Sequence, residues 1–131
     1  MLRKVTLFTW ALALFTSQTH ACEGPRPEPI EARYRKAIAV AAVEIHSAAI
    51  SNFSSGIIDG EGSVYEIFKG SPPRAVPLRW YGPTTDCWLP VNVGSTYVVF
   101  LGANEDRIWL APPVALSDVP SSVLSIWRRG R

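Results

Sequence analysis

Cysteine offers the widest chemistry of any residue type in this chain, and there are two: Cys22, directly after Thr19-His20-Ala21, and Cys87, within Asp86-Cys87-Trp88. A thiol pair can close a disulfide, contribute to a metal site or, at the first position of a processed chain, accept a lipid. Two cysteines so far apart in sequence do not make a zinc cluster, and the histidines are limited to His20 and His46. His46 follows Val43-Glu44-Ile45 in an alternating stretch, so it reads as an outward-facing strand residue rather than a general base. No Gly-x-Ser-x-Gly elbow accompanies it. Asp59-Gly60-Glu61-Gly62 resembles a cation-binding loop only in composition and reads as a plain turn. The chemistry-bearing residues thus describe a chain that is not an enzyme and carries no cofactor.

The position of Cys22 depends on what precedes it. Arg3 and Lys4, the apolar run Val5 to Phe15 and the small residue Ala21 have the form of a secretory signal peptide over residues 1–21. The run is too short to span a bilayer, so no transmembrane segment is expected. Cleavage after Ala21 leaves a single domain, 22–131, large enough for one modest core. The precursor's net charge of +2 comes from Arg3 and Lys4, so the mature domain is formally neutral. Neutrality gives no electrostatic support for a nucleic-acid or anionic-membrane partner, and Arg128, Arg129 and Arg131 read as solvated charge at a helix end. The leader places the chain outside the cytoplasm, secreted or in a periplasm or cell envelope.

In that oxidising setting a Cys22–Cys87 disulfide is the default pairing. Closing so long a loop constrains the unfolded chain by about 4 kcal/mol in the chain-entropy account. The bond would also pin the amino terminus, where most termini are loose. Lipoprotein anchoring at Cys22 is the alternative, although Thr19 and His20 are poor residues ahead of a lipidated cysteine.

The elements that must position these residues can be read from periodicity. Pro29 to Lys36 suits a short helix, with Ile30 and Tyr34 on one face. Residues 36–47 begin apolar on both parities and end one-sided, as a strand in a curled sheet would. Residues 48–62 read as a long, flexible hairpin connection, with Asn52-Phe53-Ser54 forming a glycosylation sequon. Strands follow at 63–70, at 75–81 with Pro77 at an edge or bulge, at 95–102, and at 107–110 after the Asn104-Glu105-Asp106 turn. A last helix, capped by Ser117 or Asp118, aligns Val119, Val123, Ile126 and Trp127. The fold class expected is mainly β: a five-stranded OB-like antiparallel barrel with a short N-terminal helix and a C-terminal helix packed on it. Trp80, Trp109 and Trp127 belong in the core, while Trp88, beside Cys87, belongs at the edge that holds the terminus.

Taken in order, the cysteine after the leader, RYRKAIAVAAVEI at 33–45, VYEIFKG at 64–70, Cys87 and GSTYVVFL at 94–101 resemble the netrin-like domain. The chain looks most like short secreted proteins related to the amino-terminal domain of the tissue inhibitors of metalloproteinases. The resemblance covers nearly all of 22–127 and implies an OB barrel with Cys22 bonded to Cys87. It also implies a function: the amine and carbonyl of Cys22 chelate the catalytic zinc of a secreted metalloprotease. Glu23 would then enter the protease's specificity pocket, and Gly24 and Trp88 would complete the binding edge. Any metal contact would be to the partner's zinc only. The chain departs from the family in having Gly24 where the inhibitors carry a second cysteine, and in placing a charge at Glu23. A reading from another class is a structural or envelope-associated domain that the disulfide merely stabilises.

Overall fold

A computed structural model describes residues 28–83, 90–110 and 112–131. The elements run α1 (Ile30–Lys36), β1 (Ala39–Asn52), β2 (Ile57–Lys69), β3 (Ala75–Tyr81), β4 (Thr96–Leu101), β5 (Ile108–Trp109), a single 3-10 turn (Leu116–Asp118) and α2 (Ser121–Arg129). The strands form one sheet in the order β4-β1-β2-β3-β5. Neighbours are antiparallel except β3 and β5, which pair in parallel through Leu78 and Arg79.

This is an OB-type path whose sheet stays open between β4 and β5, as a partly open OB-like barrel would be; the one correction to the expected antiparallel barrel is the parallel pairing of β3 with β5. The physical reason for the seam lies on β4. Its free edge is taken by the chain ahead of the 3-10 turn: Val98 donates its N–H to the Val114 carbonyl at 2.7 Å, and Tyr97 bridges to Ala115. With only two residues, β5 satisfies its groups on β3 instead.

Burial along β1 explains its mixed pattern. Ala39, Ala41, Val43 and Ile45 enter the concave core with Val76, Leu78, Trp80 and Val99. Val40 and Ala42 face the other way, into a second core with Phe68, Val98, Val119 and Trp127. The helices cover that second face, because Ile30 and Tyr34 of α1 and Val123 and Leu124 of α2 pack there. Strand β1 is therefore buried on both sides for its first half and exposed from His46 onward.

The hairpin expected over 48–62 is corrected: β1 continues to Asn52, β2 starts at Ile57, and the turn occupies only 53–56. Gly60 and Gly62 are buried strand residues whose missing side chains let other groups approach. A Cβ on Gly60 would lie 2.5 Å from the Trp80 ring, and one on Gly62 would lie 2.4 Å from Val43 Cγ1 and 2.7 Å from the Glu44 carbonyl oxygen. The Glu44 oxygen is backbone and cannot swing aside. Gly62→Ala is expected to cost about 1–3 kcal/mol by overpacking, read as a lower urea midpoint at unchanged slope.

Other boundaries move for local reasons. Residue 77 pairs with Glu61 on β2, and its nitrogen faces the β5 side, as does Arg79, whose carbonyl accepts from the Leu110 N–H. Pro77 thus removes no bond from the β2 ladder. Helix α2 begins at Ser121 after Pro120 rather than under a Ser117 or Asp118 cap, because those two residues are spent in the 3-10 turn. Val119 is buried ahead of the helix, and Ile126, expected on the apolar stripe, is 59% exposed.

Candidate functional site

All the residues assigned to the binding edge, Cys22, Glu23, Gly24, Cys87 and Trp88, lie outside the described residues. The structure does describe the surface from which the Cys87 loop departs and to which it returns. The loop leaves at Pro83, beside a small apolar depression lined by Ile50, Phe53, Gly56 and Ile58. It returns at Pro90, which borders a groove of about 640 Å³ lined by Asn92, Thr96, Tyr97, Ser117 and Asp118. Both are surface features of the sheet's end. Tyr97 belongs to the concave core, and its hydroxyl accepts the Asn92 N–H at 2.9 Å, which ties the returning chain to β4.

His46 is exposed, as its parity predicts, and its Nε2 shares a hydrogen bond with the Ser63 hydroxyl across the β1–β2 ladder. Among the described residues no carboxylate bonds to the ring, so the pair has no third member to orient it. The same residues hold no cluster of histidine, cysteine and carboxylate able to bind a metal. No helix among them is long and apolar enough to cross a membrane.

Asp59 and Glu61 are neither a turn nor a cation loop, since both lie within β2. Asp59 instead accepts from Arg79, Nε to Oδ1 at 2.7 Å and Nη2 to Oδ2 at 3.0 Å, with Arg107 at 3.4 Å from Oδ2. The Arg79 hydrogen bonds lower the Asp59 pKa below the ordinary aspartate range against the opposing effect of desolvation. Arg79 also lies over Trp109, which packs against Tyr81 with ring centres 5.1 Å apart. Two of the three helix-end arginines are likewise engaged: Glu66 accepts a bidentate pair from Arg128 at 2.9 and 3.1 Å and a further bond from Arg131 at 2.7 Å. The Arg128 bonds, chiefly, lower the Glu66 pKa.

Sequence reasoning missed both carboxylate clusters. Sequence spacing carries no signal for either, because each joins residues from different elements. Their consequence for pH follows from the sign of the shift. A carboxylate with a depressed folded pKa contributes stability above its unfolded pKa and loses it as pH falls through the folded value. Stability should therefore decline from about pH 4 downward. In Asp59→Asn and Glu66→Gln that acid decline should be shallower, measured by urea unfolding between pH 6 and pH 2.5.

The described surface thus belongs to a class of protein with a filled interior and an OB-type sheet whose exposed end and loops face outward. Comparison with known proteins agrees with the fold. The chain is similar to the crystal structure of Ancylostoma ceylanicum excretory-secretory protein 2, at 12% sequence identity and a TM-score of 0.51, covering 77% of this chain and 94% of that one. At that identity the likeness is one of fold. No family model matches the sequence. No curated protein matches it either.

Proposed function

We propose that this chain is a secreted, non-enzymatic protein-binding module of netrin-like type, and that it inhibits a zinc metalloprotease through its processed Cys22 terminus. The observation that carries the first part is the shared fold with a protein described as excretory-secretory, over nearly the whole of that protein. Two solid cores fill both faces of the sheet, which leaves the exposed surface and its loops to do the work. The second part rests on the resemblance and on chemistry. A catalytic zinc keeps one position open, and an α-amine with a pKa of about 8 is readily deprotonated by a metal. A disulfide to Cys87 would hold that amine in place before binding and so lower the ordering cost of association.

Intact-mass measurement of the secreted protein tests the foundation. The expected species begins at Cys22 and is two hydrogens lighter than the dithiol. A chain beginning elsewhere, an acylated cysteine or two free thiols would remove the chelating group from this account. Titration of the same material against a zinc metalloprotease then reads the inhibition directly.

A further inference from the structure

Beyond Glu44, the one strand that pairs with β1 among the described residues is β2, because β4 covers β1 no further than the Glu44–Thr96 pair. Its other edge is closed at one end by the returning chain: Ile45 donates to the Ser95 carbonyl and accepts the Gly94 N–H. At the other end the strand stops at Asn52, before the 53–56 turn. Among the described residues, what remains is an open edge of seven residues, His46-Ser47-Ala48-Ala49-Ile50-Ser51-Asn52, all exposed. An unprotected edge ordinarily carries a lysine, a proline or an inward charge to discourage pairing. This one carries none of them.

We propose that this edge pairs with the same edge of a second copy of the chain, antiparallel, about a two-fold axis at Ala49. The register follows from the ends. A partner strand laid along 46–52 is stopped by Gly94 and Ser95 at the point where it would itself run out at Asn52, so the open edge matches its own length only when Ala49 lies opposite Ala49. Alternation along the sheet assigns the free groups. Leu78 and Gly60 face each other across β2–β3, so Asp59 and Glu61 direct their peptide groups toward β1, at Ala49 and Ser47. That turns the peptide groups of Ala48 and Ile50 outward, and in the proposed register each Ala48 exchanges both bonds with the other copy's Ile50.

Side chains agree with this choice. The small residues at 47, 48, 49 and 51 allow close approach, and His46 meets Asn52, so no like charges oppose each other. Three large apolar residues flank the edge and are exposed: Ile50 at 52%, Phe53 at 86% and Val93 at 55%. The two-fold brings the Phe53 end of each copy toward the Val93 end of the other. An isologous contact of this kind closes at two copies, because each copy's 46–52 edge is then occupied by the other.

Sedimentation equilibrium of the secreted chain over a wide concentration range is the test. A reversible monomer–dimer equilibrium is expected, and Ala49→Lys, which sets two ammonium groups face to face, should weaken it at least tenfold with the melting temperature of the monomer unchanged. Mixing Ala49→Lys with Ala49→Glu should restore a one-to-one dimer that neither forms alone. A chain that stays monomeric throughout, or a dimer indifferent to both substitutions, overturns the proposal and leaves the edge to an extended segment of a different partner.

Discussion

Under the proposed chelation, protein carrying one additional residue ahead of Cys22 is expected to inhibit a zinc metalloprotease at least a hundredfold more weakly than the processed chain, while unfolding at the same urea concentration. The added residue converts the α-amine of Cys22 into an amide. An amide nitrogen has no lone pair free for a metal, and its extra atoms occupy the space that the open coordination position must offer. The change adds no atom to the core clusters, which among the described residues begin at Ile30. Stability and inhibition should therefore separate cleanly. Equal inhibition by the extended and processed proteins would exclude chelation and leave a binding module that uses another surface.

Trp127→Ala is expected to destabilise the domain by about 3–5 kcal/mol, the range for removing a buried aromatic without collapse of the site. Trp127 is 4% exposed and is the hub of the helix-covered core. Its ring stacks on Tyr34 at 4.8 Å, tilts against Phe68 at 5.4 Å and meets Phe100 edge-on at 6.3 Å. Helix α2 has nine residues and no side-chain N-cap, so it has little stability of its own and is held by this contact. Loss of the indole also loosens α1, because Tyr34 stacks on it, leaving the helix to the Tyr34 hydroxyl, which donates to the Phe68 carbonyl at 3.1 Å, and to Lys69, which donates to the Tyr34 carbonyl at 2.9 Å. Trp127→Phe should recover most of the loss by keeping an aromatic ring against Tyr34. A change below about 1 kcal/mol for the alanine variant, measured by urea unfolding, would show that the helices are held elsewhere.

Strands β3 and β4 were legible almost to the residue, since β-branched and aromatic residues there alternate or run unbroken within short turn-bounded segments. Helix α1 was legible from Pro29 and the Ile30–Tyr34 spacing. The β1–β2 hairpin was not. Its glycines, serines and alanines look like loop composition, and only the approach of Trp80, Val43 and the Ser47 carbonyl explains why small residues stand there. The five residues proposed for the binding edge lie outside the described residues, and that proposal rests on resemblance to a family and on the logic of a leader ending at Cys22, not on any pattern of titratable groups.

Periodicity is a property of the local backbone repeat, and so the sequence by itself determined β3, β4 and the first half of β1 as strands, the last of these buried on both faces. Which residues meet across segments depends on register, and register here is altered by irregularities at Val40/Ala41, Ala42/Val43, Ile45/Ser47 and Ile50/Asn52. Each such slip changes which side chains share a face and which backbone groups point outward. Only the tertiary structure therefore decided the ion pairs of Asp59 and Glu66, the open seam between β4 and β5, and the bare edge from His46 to Asn52.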